Sequence, residues 1–379
     1  MPSRSAPRSP LKGKSLKSSR SAYSERTRTV AALLEQQRLD ALIVTNLTNV
    51  RYLSGFRGSS GFLLVTPRGG TLFTDFRYKE SSRGEVSGHR VEIYRHSFLR
   101  SFSRAAERMK IRRLGFESST IPYLFYEEFR KALKKTRLVP VKAIVEEARR
   151  IKDPAEIERI EAAVTIAERV MKKALTLLSP GVTGKDIALE IDHRFRLEGA
   201  DGTAFDTIVA FGPDSSKPHA AVSDRPLKKG DSVLIDMGCT VGGYSSDLTR
   251  TFFFNTISGR QKKLYALVLE AQRRAIELIR PGIPASRVDR AARRQIAAAG
   301  FGPLFGHSLG HGIGLEVHEL PRLSSRAADT LAERMVFTVE PGVYIPGQGG
   351  VRIEDMVAVT ADGCRVLTQF PKELRDVIL

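Results

Sequence analysis

GHSLGHGIGLEVHE, residues 306–319, places three of the chain's seven histidines among four glycines. Glycine has no side chain to pack and loses much backbone freedom on folding, so such a run is costly to keep in an ordered element. The run indicates that a backbone segment or a ligand approaches His307, His311 and His318 closely. A metal or catalytic site is favoured over a mobile surface loop with incidental histidines, and partner residues elsewhere in the chain decide between them.

The composition is that of an ordinary folded protein. The length of 379 residues suits two domains with substantial cores, and the apolar fraction is 41%. No apolar run approaches the length of a membrane span, which excludes a transmembrane helix. Cys239 and Cys364 are the only cysteines, so there is no disulfide framework and a reducing compartment is favoured. We therefore expect a soluble, cytoplasmic protein without a membrane partner.

The net charge of +19 raises nucleic acid or an acidic membrane surface as a partner. Residues 1–28 carry eight basic side chains and one acidic side chain, and the other basic residues are spread along the chain. Spread charge is typical of a solvated surface, so we do not expect a nucleic-acid partner. Residues 1–28 are poor in apolar side chains, which predicts a disordered basic tail. An organelle transit peptide also fits their composition, but an inert tail is favoured.

Residues 29–145 alternate between helical and strand patterns, which is typical of a compact α/β domain. The pattern predicts a helix over Val30–Arg38 and a buried strand over Asp40–Thr45. Two further strands, Phe62–Val65 and Gly70–Thr74, are joined by a turn that is rich in Pro and Gly.

A second domain, residues 150–379, opens with a strong helix start. Asp153 supplies an N-cap acceptor, Pro154 suits the first helical position, and Glu156 stands three residues after the cap. Strand patterns with long Gly- and Pro-containing connections follow, interrupted by further helices. This order predicts an α+β domain in which an antiparallel sheet is backed by helices.

Two pairs of carboxylates accompany these strands. Asp236 ends an apolar strand, and Asp247 begins the next one after a Gly-rich return, so a hairpin would bring them side by side. A lone buried carboxylate is costly without a cation or a hydrogen-bond partner, although each Asp capping a turn is an alternative. Glu340 closes a later strand and Glu354 lies in the following one. Carboxylates this close repel unless they are protonated or bridged.

Together with one imidazole from residues 306–319, the four carboxylates form an oxygen-rich set. Such a set suits two divalent metal ions that share carboxylates and a bridging water. A pair of ions of this kind lowers the pKa of the water and polarises a carbonyl, as hydrolysis of an unactivated amide requires.

The order of these motifs resembles the pita-bread metallopeptidases, in particular the Xaa-Pro aminopeptidase and prolidase branch. An Asp is followed by a second Asp eleven residues on, then GHG, then EPG, then a Glu fourteen residues after the Glu of EPG. YLSGF at 52–56 and TDFRY at 74–78 resemble a creatinase-type N-terminal domain. The resemblance implies a creatinase-like α/β domain over residues 29–145 and a pita-bread catalytic domain over residues 150–379. The latter would have a curved, mainly antiparallel sheet backed by helices.

The resemblance also implies roles for individual residues. Two divalent ions, Mn²⁺ in preference to Co²⁺ or Zn²⁺, would be bound by five side chains, with Asp247 and Glu354 bridging: Asp236, Asp247, His311, Glu340 and Glu354. Glu340 would also accept a proton during catalysis. Three histidines would face the substrate and one arginine would lie buried beside the last metal ligand: His219, His307, His318 and Arg352. Imidazoles there can donate to the developing oxyanion and carry a proton to the leaving nitrogen.

The implied reaction is hydrolysis of the Xaa-Pro bond, at the N-terminus of peptides or in dipeptides, by a homodimer. This bond is a tertiary amide without an N–H, so selectivity requires a pocket that fits the pyrrolidine ring. Arg322 matches the position where prolidases hold a dipeptide's C-terminal carboxylate, although a plain surface charge is equally open. Two alternatives are a pita-bread binding protein without peptidase activity and a metal-free, creatinase-like C–N hydrolase.

Overall fold

The computed structural model describes residues 15–379, and the chain divides between Ala148 and Arg149 into two compact units. The first unit contains a six-stranded sheet. Its helices are α1 (Ser15–Gln36), α2 (Leu47–Ser54), α3 (Ser81–Glu85), α4 (Phe98–Arg108), α5 (Tyr123–Ala132) and α6 (Ile144–Arg149). Its strands are β1 (Ala41–Val44), β2 (Gly61–Thr66), β3 (Gly69–Thr74), β4 (His89–Ile93), β5 (Arg113–Glu117) and β6 (Arg137–Val141).

Helix α1 includes residues that the composition predicted to be disordered. Arg26 is only 8% exposed, and its guanidinium lies 4.5 Å from the centre of the Tyr52 ring. The Arg26 Nη1 also donates to the Tyr52 carbonyl at 3.0 Å. A long basic side chain can pack through its stem and its planar head, which a count of charges does not register. The prediction of disorder is therefore wrong for residues 15–28, and residues 1–14 lie outside the described part.

The sheet of the first unit is mixed, in the order β4-β3-β2-β1-β5-β6. Strands β1, β2 and β3 pair antiparallel, whereas β4, β5 and β6 join in parallel. All four residues of β1 are buried, as expected for a central strand covered on both faces. Aromatic rings pack on one side: the Phe98 ring stacks on Phe62 with centroids 3.8 Å apart and meets Phe102 at 5.4 Å.

The second unit contains long helices and several short sheets. Its helices are α7 (Pro154–Leu175), α8 (Gly184–Leu197), α9 (Gly259–Glu277) and α10 (Ala285–Ala298). Its first strands are β7 (Gly202–Thr203), β8 (Ile208–Phe211), β9 (Ser232–Met237), β10 (Cys239–Val241), β11 (Tyr244–Ser245) and β12 (Leu248–Phe253). The later ones are β13 (Gly310–Gly312), β14 (Glu319–Leu323), β15 (Val336–Val339), β16 (Gly342–Ile345), β17 (Gly349–Arg352), β18 (Asp355–Val359) and β19 (Cys364–Val366).

The helix start predicted at Asp153 is confirmed at α7. The Asp153 side chain accepts from the Glu156 N–H at 2.9 Å, and the Glu156 carboxylate accepts from the Asp153 N–H at 2.8 Å. This reciprocal pair satisfies two N–H groups that the first turn leaves open. Residues such as Ile160, Ala167 and Met171 then bury one face of the helix.

The ladders between β7 and β19 are antiparallel, and they form the orders β12-β9-β8, β11-β10-β7, β14-β13-β15-β18-β19 and β16-β17. The predicted fold class, an α/β unit followed by an α+β unit with antiparallel strands and helices, is confirmed. The antiparallel strands are distributed over several short sheets. Their ends carry the side chains that the sequence marks as functional.

Candidate active site

Two aspartates lie at one end of the β9–β12 pair. Asp236 in β9 stands opposite Thr249 in β12, and Asp247 immediately precedes β12. Strands β10 and β11 form the return between them. The predicted strand pairing is therefore observed, and it brings the two carboxylates close enough for Asp236 to raise the pKa of Asp247, although burial is the larger cause.

Two glutamates lie beside the β15–β18 pair. Val339 stands opposite Asp355, so the residues next to Glu340 and Glu354 face each other. The return between the glutamates is the β16–β17 hairpin. Glu354 lies at the junction of β17 and β18, not within a strand as the sequence pattern indicated, and its N–H donates to the Thr249 carbonyl at 3.2 Å. This bond ties Glu354 to β12.

His311, in β13, joins the carboxylates. Its Nε2 lies 3.3 Å from Glu340 Oε1 and 3.7 Å from Asp247 Oδ2. One ligand atom from each of Asp247, His311 and Glu354 lies within 4.8 Å of the other two. Side chains from four separate segments thus converge on one small volume.

Close backbone packing explains two of the four glycines in residues 306–319. A Cβ added to Gly310 would lie 1.9 Å from the Thr338 carbonyl oxygen, and one added to Gly312 would lie 2.1 Å from the Leu320 oxygen. Any other residue would force β13 away from its neighbours. The glycines therefore hold β13, and His311 with it, against the adjoining strands.

Three of the carboxyl groups have raised pKa values because they are buried together. Burial raises the pKa of Asp236, and the facing Arg352 offsets this only in part. Burial is also the main cause of the raised pKa of Asp247, to which Glu354 adds. Burial, followed by the charge of Glu340, raises the pKa of Glu354 to about 8.

Glu340 and His311 form the opposite case. Burial works against the Glu340 carboxylate, but the hydrogen bond and charge of His311, together with the charges of His307 and Arg352, lower the pKa of Glu340. Burial likewise disfavours the His311 imidazolium, yet the hydrogen bond and charge of Glu340, together with the charge of Glu354, raise the pKa of His311. This pair therefore favours its charged forms, whereas burial favours the protonated forms of the other three carboxyl groups.

A divalent cation fits this donor set. Asp236 Oδ2 accepts from Arg352 Nη2 at 2.5 Å, whereas the buried Asp236 Oδ1 has no hydrogen-bond partner within residues 15–379. An unpaired buried carboxylate oxygen among other carboxylates is unfavourable. Carboxylate oxygens with one imidazole are the donors that a pair of ions such as Mn²⁺ prefers. The chemistry of the cluster therefore matches divalent metal.

Arg352 contacts the Asp236 carboxylate, and its side chain is 4% exposed. Besides Asp236, it donates to the Tyr344 hydroxyl at 2.9 Å, the Thr249 hydroxyl at 3.0 Å and the Pro218 carbonyl at 3.1 Å. Burial opposes its charge, but Tyr344 and Asp236 raise the pKa of Arg352. The fork of one guanidinium thus connects four other segments of the chain.

The four other candidates lie around this centre. His307 Nδ1 lies 2.8 Å from the Ser308 carbonyl, so this nitrogen carries the proton and Nε2 accepts from the Tyr344 hydroxyl at 3.0 Å. The His318 ring lies 4.2 Å from His311. His219 is exposed and directly follows Pro218, whose carbonyl Arg352 holds.

Arg322, on β14, is exposed and donates from Nε to Ser308 Oγ at 2.9 Å. Burial lowers the pKa values of His307 and His318, so both imidazoles are neutral near pH 7.

Neither Tyr344 nor Thr249 was predicted from the sequence to be a site residue. Tyr344 is 6% exposed and bridges His307 and Arg352, and Thr249 Oγ1 donates to Glu354 Oε2 at 2.7 Å. A tyrosine in an apolar strand predicts only that its hydroxyl finds some partner once it is buried. This is a weak indication of a functional site. Thr249 gave no signal, since threonine is common in strands.

Comparison with known proteins agrees with this geometry. Residues 158–361 match Metallopeptidase family M24, and residues 26–151 match the Creatinase/Prolidase N-terminal domain. The chain is 41% identical to the uncharacterized peptidase YqhT of Bacillus subtilis, over 90% of this chain and 97% of that protein. It is 37% identical to the Xaa-Pro dipeptidase of Pyrococcus horikoshii, over 92% and 98%.

A solved structure of an Xaa-Pro dipeptidase is also similar to this chain. The Xaa-Pro dipeptidase from Bacillus anthracis superposes with a TM-score of 0.91 at 36% identity, over 94% of this chain and all of that one. In the described part of the chain, no helix is long and apolar enough to cross a membrane. The extent of these matches shows that the chain belongs to metallopeptidase family M24 and carries a Creatinase/Prolidase N-terminal domain.

Proposed function

We propose that this metallopeptidase hydrolyses the Xaa-Pro bond of dipeptides or of peptide N-termini, using two divalent ions, with Mn²⁺ preferred to Co²⁺ or Zn²⁺. The observation that carries the proposal is the convergence of Asp247, Glu340 and Glu354 on His311, accompanied by an Asp236 Oδ1 that has no hydrogen-bond partner among residues 15–379. The similarity to Xaa-Pro dipeptidases supplies the substrate class.

Five side chains would hold the ions, with Asp247 and Glu354 shared between them: Asp236, Asp247, His311, Glu340 and Glu354. When bound, the ions would polarise the scissile carbonyl and acidify a water molecule. Glu340 would also accept the proton of that water, since its carboxylate lies among the other donors, with Oε1 3.3 Å from His311 Nε2.

The histidines would act on the substrate. His318 and His219 would donate to the oxyanion and protonate the proline nitrogen as it leaves. His307 is engaged at both nitrogens, so its part is to hold the Tyr344 hydroxyl, which in turn accepts from Arg352. We propose His307 as a positioning residue near the substrate.

Arg322 is proposed to bind the C-terminal carboxylate of a dipeptide. Its Nε is held by Ser308, which leaves the end of the guanidinium to face an anion. A longer peptide has no carboxylate at that point, so this contact would favour dipeptides. We further propose a cytoplasmic homodimer without a nucleic-acid partner; the two free cysteines are consistent with a reducing compartment.

The test is to assay Mn²⁺-loaded protein on Xaa-Pro dipeptides and tripeptides side by side, together with Asp247→Asn and His311→Ala. We expect cleavage by the parent and none by either variant, with unchanged circular dichroism. Cleavage that survives either substitution would contradict the proposal. Equal rates on dipeptides and tripeptides would remove the role given to Arg322.

A further inference from the structure

Gln272, on α9, contacts the backbone beside both glutamates. It is fully buried, and its Nε2 donates to the carbonyl of Val339 and to the carbonyl of Ile353, each at 3.1 Å. These are the residues immediately before Glu340 and Glu354. One amide group therefore fixes the distance between the two backbone segments from which the glutamate side chains project.

Lys372 holds Gln272 in that orientation. Its Nζ donates to Gln272 Oε1 at 2.8 Å, which leaves Nε2 to face the two carbonyls. Lys372 also pairs with Asp355, the residue after Glu354. The amide is therefore satisfied at both ends by groups next to the site.

Arg250 also holds the backbone segment around Glu354. Its side chain is fully buried, donates to the Glu354 carbonyl, and pairs with Asp355 Oδ1 at 2.8 Å. The backbone of Glu354 is thus held at its own carbonyl and at the carbonyl before it. None of these three side chains belongs to the ligand set.

We propose that Gln272, locked by Lys372, is a positioning residue that sets the separation of the Glu340 and Glu354 carboxylates and so the affinity of the site for divalent ions. This inference rests on the proposed function for the identity of the ligands. The geometric reason is that a two-ion site tolerates little change in donor spacing, and buried partners of the ligand segments commonly change metal affinity by about 10–100-fold. An apolar side chain at 272 would remove the donor that the two buried carbonyls share, and with it the link between the two segments.

The experiment is a calorimetric titration of the chelator-treated full-length protein with Mn²⁺, comparing the parent with Gln272→Met. Methionine has a similar length and no donor. We expect the dissociation constant to rise about tenfold or more. Lys372→Met provides a second measurement should Gln272→Met fail to fold, because Lys372 is partly exposed, and we expect a smaller rise in the same direction.

Leu264→Ala is the matched control. Leu264 is buried in the same helix, eight residues before Gln272, and its side chain carries no hydrogen-bond donor. Both variants should lower the thermal midpoint, but only Gln272→Met should weaken Mn²⁺ binding substantially. An unchanged dissociation constant in Gln272→Met, or an equal change in Leu264→Ala, would overturn the inference. Because the readout is metal binding, a failure of Xaa-Pro cleavage by the parent protein is a separate result.

Discussion

Replacing Arg352 tests whether one guanidinium stabilises the whole centre. The side chain donates to a carboxylate, two hydroxyls and a carbonyl while it is 4% exposed. Arg352→Met leaves Asp236 without its cation, and removal of one partner from a buried pair costs about 3–5 kcal/mol. Arg352→Lys keeps the charge but not the fork, so the loss should be smaller, about 1–3 kcal/mol for the acceptors left unpaired.

The assay is urea unfolding of chelator-treated protein at pH 7, followed by circular dichroism. Separate transitions of the two units, if present, are fitted individually. Arg260→Met serves as the control, because Arg260 is exposed and its replacement should change the free energy of unfolding by less than about 0.5 kcal/mol. A loss below about 1 kcal/mol in Arg352→Met, against the range expected for a buried pair, would refute the reasoning. Equal losses in the Met and Lys variants would show that a positive charge without the fork contributes nothing.

Three further predictions follow from single contacts. Tyr344→Phe removes the hydroxyl between His307 and Arg352, and we expect the turnover number on an Xaa-Pro dipeptide to fall about tenfold with the fold unchanged, as for loss of a buried hydrogen bond of about 1.4 kcal/mol. Burial lowers the pKa of His89 below 6.5, so the unfolded state binds the extra proton and stability should fall as the pH drops below 6.5. Urea midpoints at pH 7.5 and 5.5 should differ less in His89→Gln than in the parent. Asp153→Ala should lower the free energy of unfolding by about 1 kcal/mol through loss of the cap of α7, and no change in the urea midpoint would show that the capping box is dispensable.

The proximity of the proposed metal donors could be predicted from the sequence because their signals are local. Asp236 and Asp247 follow and precede apolar strands with a Gly-rich return between them, so strand pairing alone brings them near each other. The capping box at Asp153 is likewise contained within four residues. Which carboxylates share an ion is still a proposal, since it rests on family resemblance and not on pattern.

The supporting side chains could not be predicted because their partners lie far away in sequence. Gln272 lies on the buried face of an amphipathic helix, where helical periodicity predicts only that the side chains are buried. Its two acceptors are backbone carbonyls, which every residue carries. Tyr344 and Arg250 are similar cases: their importance depends on what tertiary packing places against them. The helical start of α1 was missed for a related reason, since Arg26 packs on an aromatic ring that composition does not reveal.

The five proposed donors lie in β9, just before β12, in β13, just after β15 and at the β17–β18 junction, and this dispersal has a kinetic consequence. Each donor depends on pairings between strands distant in the chain, and contacts of this kind form late in folding because the chain entropy of closing long loops opposes them. Interactions absent from the folding transition state change the unfolding rate more than the folding rate. Divalent ions should therefore leave the rate of refolding nearly unchanged and lengthen the lifetime of the native protein.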